Sequence, residues 1–128
     1  MVGIVIVSHS QKLAEGVVEL ARMMAVEAPI AAAGGLDDGN FGTSYEKISA
    51  AIESVYSADG VAVLMDMGSA VMTTEMVLED LERDNVKMLD CPLVEGAVLA
   101  AVESVGGISL DALTERIAEA RAVKKLDS

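Results

Sequence analysis

Aromatic residues and cysteine are scarce in this chain of 128 residues, which has no tryptophan, two tyrosines, one phenylalanine and one cysteine. Base-stacking platforms and aromatic sugar-binding walls both need several exposed rings, so the composition argues against either kind of site. Cys91 stands alone and cannot form an internal disulfide, which agrees with a reducing compartment. Its ordinary role is that of a small buried apolar residue.

Positive charge is also in short supply. Lys and Arg total 9 against 21 Asp and Glu, which gives a formal net charge of −12. Such a chain repels a phosphate backbone, so we expect no nucleic-acid partner. No apolar run is long enough to span a membrane, and no charged segment precedes the first strand pattern as in a signal peptide. We therefore expect a cytoplasmic protein without membrane contact.

Aliphatic residues are plentiful, and hydrophobic residues make up 52% of the chain. This amount fills one ordinary core, so we predict a single domain over residues 1–128. Short β-branched runs alternate with helical patterns, which is typical of an α/β fold. We predict an open, doubly wound, mainly parallel four-stranded sheet in the order 2-1-3-4, with helices on both faces. The predicted strands cover residues 2–7, 29–33, 60–66 and 86–90.

Helix faces are predicted from the spacing of apolar side chains. Ser10 is a candidate N-cap of the first helix, Thr43 to Glu46 form a capping-box pattern for the second, and Ser69 is a candidate cap of the third. The side chains predicted to face the core are, helix by helix, Leu13, Val17, Leu20 and Met24; Ile48, Ile52 and Val55; Thr73, Met76, Val77 and Leu81; Val94, Val98, Ala101, Val102 and Val105; and Leu110, Leu113, Ile117 and Ala120.

The only histidine, His9, lies two residues after the first predicted strand. In the order 2-1-3-4, strands one and three are neighbours, so His9 and residues 66–69 face one crevice at the carboxyl ends of the strands. The glycine-rich loop over residues 34–43 flanks this crevice. The groups gathered there are the parts of a phosphate site: the carboxylate of Asp66, the hydroxyls of Thr43 and Ser69, and the backbone of Gly35, Gly42 and Gly68.

The chemistry of these groups suits phosphoryl transfer. A neutral imidazole can attack phosphorus with a ring-nitrogen lone pair. Asp66 can accept a hydrogen bond from the other ring nitrogen, select the tautomer and stabilise the phosphorylated, cationic ring. The helix that opens at Ser10 favours a nearby anion by about 0.3–1 kcal/mol. Gly35 and Gly68 let backbone amides approach phosphoryl oxygens.

Each residue also has an ordinary structural interpretation. His9 equally fits a turn residue or helix cap, and Asp66 fits a loop carboxylate or N-cap. Thr43 fits a plain helix cap, and the glycines fit tight turns that are not a P-loop, because no Gly-Lys-Ser/Thr follows them. Four methionines are interpreted mainly as core residues: Met65, Met67, Met72 and Met76.

Four segments together carry a family resemblance: "IVIVSHS", "GTS", "MDMGSA" and "PLVEGA". In this order they resemble the enzyme IIA subunit of the phosphotransferase-system-dependent dihydroxyacetone kinase, and the similarity covers nearly the whole chain. That family is related in fold to the enzyme IIA domains of mannose-type sugar transporters. The segments "SHS" and "DMGSA" stand where the mannose type is expected to have His-Gly and a Gly-Gly-Ser-Pro-like turn, which favours the kinase branch.

The resemblance implies a phosphorelay without a resident cofactor or metal. Phosphoenolpyruvate charges enzyme I, enzyme I charges the histidine phosphocarrier protein, and that protein charges His9. Phosphorylated His9 then converts ADP to ATP on the nucleotide-binding kinase subunit, and the ATP phosphorylates dihydroxyacetone on another subunit. The resemblance also implies a homodimer. Two alternatives stay open: a mannose-type enzyme IIA that passes phosphate to a IIB protein, and a non-catalytic α/β domain that binds a regulatory anion.

Overall fold

The computed structural model of the protein describes residues 1–127, so the last residue of the expected domain, Ser128, lies outside the described part. Strands and helices alternate along the chain until two helices follow the last strand. The elements are β1 (Gly3–Ser8), α1 (Gln11–Met24), β2 (Ile30–Gly34), α2 (Tyr45–Val55), β3 (Val61–Met65), α3 (Ser69–Leu81), β4 (Val86–Met88), α4 (Leu93–Val105) and α5 (Leu110–Ala120).

The sheet has four strands in the order β2-β1-β3-β4, and every neighbouring pair is parallel. This confirms the predicted fold class and strand order. The strand ends differ from the prediction by one or two residues, chiefly because β4 ends at Met88 instead of residue 90. Beyond that end the Leu89 amide still donates to the Val63 carbonyl at 2.9 Å, so the ladder continues briefly.

The core lies in two layers, one on each face of the sheet. Ile4, Ile6 and Leu64 point toward α1, α4 and α5, whereas Val5 and Val63 point toward α2 and α3. The alternation follows from the opposite directions of successive side chains in a strand. Because both faces are covered, β1 and β3 are apolar throughout, as buried parallel strands are.

The edge strand β2 is bordered by two cations. Arg22 Nη2 donates to the Ile30 carbonyl at 2.9 Å, and Lys47 Nζ donates to the Gly34 carbonyl at 3.0 Å. Both carbonyls point away from β1, because the neighbouring Pro29 carbonyl is the one that accepts from the Ile4 amide. The outer edge of the sheet is therefore partly occupied by side-chain donors.

The prediction for the buried face of α1 is largely wrong. Val17 is buried, but Leu13, Leu20 and Met24 are 44%, 41% and 65% exposed. Small residues form the buried line instead, since α1 approaches β2 so closely that a Cβ added to Gly34 would lie 2.7 Å from that of Ala14. Large side chains do not fit on this line and are displaced to its flank. The buried line comprises Ala14, Val17, Val18 and Ala21.

Helix α4 repeats this arrangement. Ala101 is buried as predicted and Val98 is half-buried, but Val94, Val102 and Val105 are 40%, 43% and 41% exposed. Its buried line is again made of small residues, and a Cβ added to Gly96 would overlap the sulfur of Cys91. Since α1 packs beside α4, the displaced apolar residues of both helices lie on one side of the molecule. The buried residues of α4 are Gly96, Ala97, Ala100, Ala101 and Ser104.

The remaining helices follow their predicted faces more closely. In α2 and α5 the residues buried as predicted are Ile48, Ile52, Leu110, Leu113 and Ile117, whereas Val55 and Ala120 are half-buried. In α3, Val77 is buried and Thr73 and Leu81 are half-buried. The core interpretation of the methionines is wrong for Met67, Met72 and Met76, which are 56%, 74% and 57% exposed. None of the helices within residues 1–127 is long and apolar enough to cross a membrane.

The helix caps show one confirmed prediction and two corrections. Ser10 caps α1, because its Oγ accepts a hydrogen bond from the Leu13 amide at 3.2 Å. The cap of α2 is Ser44 instead of Thr43, and its Oγ accepts from the Lys47 amide at 3.2 Å. Helix α3 starts from Gly68 without any side-chain cap, so Ser69 is its first residue and its hydroxyl has another partner.

Candidate functional site

The candidate site lies where β1 and β3 end side by side at one edge of the sheet. Val7 pairs with Met65 in the parallel register, so the residues that follow these strands emerge together. The Asp66 amide donates to the Val7 carbonyl at 3.1 Å and extends the ladder by one bond. The sheet thereby brings His9 and Asp66 to one crevice, as the strand order predicts.

His9 and Asp66 are joined by two hydrogen bonds. The Nδ1 atom of His9 lies 3.0 Å from Oδ1 of Asp66, and the backbone amide of His9 donates to Oδ2 at 3.0 Å. Because a carboxylate only accepts, Nδ1 carries the proton, and in the neutral form of the ring the lone pair is on Nε2. The side chains are 22% and 12% exposed, so the pair is sheltered but open to a reactant.

Ser8 is the residue that the sequence analysis missed. It is fully buried at the end of β1, and its Oγ donates to Oδ2 of Asp66 at 2.8 Å. The same oxygen accepts a hydrogen bond from the Ser10 amide at 3.0 Å. Ser8 therefore holds both the carboxylate and the backbone after His9. A buried serine ending an otherwise apolar strand was the available signal, because a buried hydroxyl requires a partner.

The hydrogen bonds around Asp66 keep its carboxyl ionised. Partial burial by itself raises the pKa of Asp66, since a low-dielectric environment disfavours charge. Bonds from the His9 amide, the Ser8 hydroxyl and the His9 ring, followed by the attraction of the ring charge, act in the opposite direction. Their sum lowers the pKa of Asp66 below its usual value, so the carboxylate is available to stabilise a cationic ring.

Ser69 occupies the other side of the imidazole. Its Oγ lies 2.7 Å from Nε2 of His9, which places the first residue of α3 against the nitrogen that carries the lone pair. With Nδ1 protonated, the Ser69 hydroxyl donates this bond. The hydroxyl marks the position from which a group bound to Nε2 can be contacted. This contact explains why Ser69 does not cap α3.

The N-terminus of α3 adds backbone donors beside the ring. Gly68 is exposed and immediately precedes Ser69, and no side chain caps this helix of 13 residues. The first amides of an α-helix lack intrahelical acceptors and lie at its positive end. The Ala70 and Val71 amides already donate to the Met67 and Gly68 carbonyls, so the amides of Gly68 and Ser69 are the ones suited to the oxygens of an anion next to His9.

The loop after β2 closes the third side of the crevice. Gly35 is buried with φ +69°, and its amide donates to the Ser8 carbonyl at 3.1 Å, so this amide is already engaged. The Gly42 amide donates to the His9 carbonyl at 2.9 Å. Lys47 Nζ donates to the Leu36 carbonyl at 3.2 Å and holds the start of the loop. These glycines shape the loop around His9 by backbone contacts.

Thr43 is connected to α3 and does not contact the ring. Its Oγ1 lies 2.9 Å from Oγ1 of Thr73, and both residues are half-buried. Ser10 likewise uses its hydroxyl for the α1 cap and its amide for Ser8. Of the residues predicted for the site, the structure thus places Asp66 and Ser69 directly on His9, Gly68 next to Ser69, and Ser10, Gly35 and Thr43 in the surrounding framework.

The arrangement provides a nucleophilic nitrogen with a fixed tautomer. Nε2 faces the crevice, Asp66 can stabilise positive charge on the ring, and the amides of α3 can meet negative charge on a bound group. Within residues 1–127, no group of three or more His, Cys, Asp or Glu side chains is placed to hold a metal ion. Transfer of a phosphoryl group to and from Nε2 is the chemistry these groups fit best.

Comparison with known proteins identifies related sequences. The chain matches the protein family described as PTS system fructose IIA component over residues 3–117. It is 47% identical over 118 residues to the PEP-dependent dihydroxyacetone kinase, phosphoryl donor subunit DhaM of Escherichia coli (strain K12), with 87% of this chain and 25% of the relative covered. It therefore spans about a quarter of that relative's length.

Two further matches cover nearly all of both partners. The PTS-dependent dihydroxyacetone kinase, phosphotransferase subunit DhaM of Lactococcus lactis subsp. lactis (strain IL1403) is 36% identical over 115 residues, which are 90% of this chain and 92% of the relative. A crystal structure of the unknown-function protein EF1359 superposes with a TM-score of 0.79 at 29% identity, covering 100% of this chain and 99% of that one. The resemblance indicated by the four sequence motifs is confirmed.

Proposed function

The chain belongs to the enzyme IIA family of the phosphotransferase system, and from this premise we propose that it is a phosphocarrier subunit of a dihydroxyacetone kinase that is phosphorylated on His9. The observation that carries the proposal is the His9 ring, held by Asp66 on Nδ1 with Nε2 facing the crevice. The names of the relatives support the kinase branch over a sugar transporter. We place the relay in the cytoplasm, as the sequence predicts.

The first step is phosphorylation of His9 by the histidine phosphocarrier protein. The Nε2 lone pair attacks the phosphorus of the donor's phosphohistidine, a new N–P bond forms, and the donor nitrogen leaves with the electron pair of the broken bond. The His9 ring becomes cationic while Nδ1 keeps its proton. The carboxylate of Asp66, 3.0 Å from Nδ1, stabilises that charge.

The second step passes the phosphoryl group to ADP on the nucleotide-binding kinase subunit. A terminal oxygen of ADP attacks phosphorus, the bond to Nε2 breaks, and ATP forms while His9 returns to its starting tautomer. Ser69 turns its hydroxyl from Nε2 to a phosphoryl oxygen, and the amides at Gly68 and Ser69 contact the others. Ser10, Gly35 and Thr43 support the site indirectly by fixing the backbone around it.

We also propose that the protein is a homodimer. The support is the strip of displaced apolar residues on the neighbouring helices α1 and α4, which comprises Leu13, Leu20, Met24, Val94, Val102 and Val105. An exposed apolar strip of this kind is typical of a surface that another protein chain covers. The strip shares no residue with the hydrogen-bonded group of His9, Asp66 and Ser69.

The phosphocarrier role is tested by intact-mass measurement after incubation with phosphoenolpyruvate, enzyme I and the histidine phosphocarrier protein. The wild-type chain gains one phosphoryl group, and His9→Gln gains none. The bond is labile in acid and stable in base, as a phosphoramidate is. An unchanged gain in His9→Gln would refute the assignment of the phosphoryl group to this residue.

A further inference from the structure

A strip of exposed methionines begins next to the His9 ring. Ser69, Met72, Met76 and Glu79 are spaced by three, four and three residues along α3, so they lie on one face of the helix. Ser69 at its start contacts Nε2 of His9. Met72 and Met76 are 74% and 57% exposed, although side chains of this size are ordinarily covered.

The surroundings of this strip are apolar and acidic. Met67 and Phe41, which are 56% and 80% exposed, lie in the two loops that border the crevice. Glu75 and Glu79 are exposed on α3. No Lys or Arg occurs anywhere between Lys47 and Arg83, so this part of the chain has no positive side chain of its own.

We propose that Met72 and Met76 form the docking surface for the protein that donates the phosphoryl group, and that this donor presents an apolar contact face bordered by basic residues. The proposal rests on the proposed function, since it concerns the partner of the same His9. A donor must bring its phosphorus to Nε2, which places its surface next to the start of α3, because Ser69 lies 2.7 Å from that nitrogen. The acidic flank of the strip selects a basic partner by charge complementarity.

Methionine suits a surface of this kind. Its unbranched side chain and polarisable sulfur adapt to differently shaped partners, which is why methionine is frequent on surfaces that bind more than one protein. A carrier releases one partner before it meets the next, so its contacts must be adaptable and readily broken. Burial of two methionines in the centre of the contact supplies apolar area without a fixed geometry.

The test compares a protein donor with a small one. Phosphoramidate labels the imidazole directly, because Nε2 bonds to phosphorus while the P–N bond of the reagent breaks and ammonia leaves. This reaction needs no docking surface. The histidine phosphocarrier protein, charged by phosphoenolpyruvate and enzyme I, is the protein donor. The variants are Met72→Lys with Met76→Lys, and the same pair changed to Gln or to Glu.

The Lys pair should raise the donor concentration needed for half-maximal transfer about tenfold or more, since it removes apolar area and adds like charge. The Gln pair should have a smaller effect and the Glu pair the smallest. Phosphoramidate labelling should be unchanged in all of them. The matched control is Met23→Lys with Val26→Lys, which adds the same charge at exposed positions near the C-terminal end of α1. It should change the donor concentration for half-maximal transfer less than twofold.

Wild-type kinetics in the Lys pair would overturn the proposal, as would an equal fall in labelling by both donors, because these residues would then act on the site itself. Equal effects of the Lys and Glu pairs would overturn the basic character of the partner. Failure of both reagents to label wild-type His9 would instead refute the phosphocarrier function, and the docking proposal with it.

Discussion

Ser8 is fully buried and connects the carboxylate of Asp66 to the backbone of Ser10, the residue that follows His9. Its hydroxyl donates to Asp66 and accepts from the backbone amide of Ser10. The imidazole is therefore positioned by its own amide, by the carboxylate and by the strand end. Loss of one bond leaves a buried polar group without a partner, which typically costs about 1–3 kcal/mol.

The carboxylate of Asp66 should give the fold a measurable acid sensitivity. Hydrogen bonds from His9 and Ser8 hold its pKa in the folded protein below the ordinary value of the unfolded chain, so ionised Asp66 stabilises the fold at any pH above that ordinary value. This contribution is lost as the pH falls through the lower folded pKa. We expect the free energy of unfolding of Asp66→Asn to differ from wild type more at neutral pH than at a pH acidic enough to protonate Asp66 in the folded protein.

Urea unfolding at a series of pH values measures this difference in stability. Single-turnover assays measure how fast His9 is phosphorylated in the same variant. Asp66→Asn should also slow phosphorylation of His9, because the amide can present an N–H to Nδ1 and favour the other tautomer. Asp37→Asn, an exposed loop position, serves as the control. Equal transfer rates in folded wild type and Asp66→Asn would show that Asp66 serves only as a capping residue.

At the scale of the element, the bond between Thr43 and Thr73 ties the loop after β2 to α3. Thr73→Val keeps the side-chain shape and removes the hydroxyl. A net loss of about 0.5–1.5 kcal/mol from one hydrogen bond should accelerate local opening of residues 36–43 by about 2- to 10-fold. Amide hydrogen exchange in the loop measures the effect. Thr114→Val on α5 removes a comparable bond elsewhere and should leave these amides unchanged.

The elements also show which features of the fold could be predicted from the sequence. The α/β class was predictable from the alternation of elements. The order 2-1-3-4 is a usual one for a doubly wound sheet, and in that order the meeting of His9 with Asp66 follows from the strand-end rule. The buried faces of α1 and α4 were not predictable. Periodicity gives weight to large apolar residues such as Leu20 and Val102, whereas close helix approach selects Ala and Gly. In each of these helices the predicted and the observed buried positions are shifted by about one residue.

The contacts within the site were less predictable than its location. Ser69 has the sequence context of a helix cap, and only the position of the start of α3 beside His9 places its hydroxyl on the ring. Thr43 also has the sequence context of a helix cap, but in the structure the neighbouring Ser44 caps α2. A one-residue shift of a helix start decides such roles, and propensity does not fix helix ends to that accuracy.

At the scale of the whole molecule, the net charge of −12 bears on the proposed transfer to ADP. ADP is itself an anion, so the two should meet only when a partner supplies cations. We expect phosphorylated protein to form ATP from ADP only with the nucleotide-binding kinase subunit present, and added salt to slow the reaction if attraction steers the encounter. Timed ATP assays with and without that subunit measure both effects. Efficient transfer to a IIB protein, with none to subunit-bound ADP, would favour the mannose-type alternative.

The dimer proposal predicts a change of mass in solution. Leu20→Lys with Val102→Lys places two charges in the strip on α1 and α4, and charges are disfavoured at the centre of an apolar interface. Sedimentation equilibrium should show wild type as a dimer and this variant as a monomer. Met76→Lys on α3 should stay dimeric. A monomeric wild type at micromolar concentration would contradict the proposal.

Arg22 and Lys47 at the edge of β2 affect how readily the protein aggregates in concentrated solution. An edge strand with free carbonyls is a template on which further strands can stack, the first event of fibril growth. Arg22 and Lys47 cover the carbonyls of Ile30 and Gly34, and only the Ala32 position lies open between them. A strand arriving from another copy would have to displace both side chains before it could align. Two of the nine positive side chains thus hinder the addition of strands at the β2 edge of the sheet.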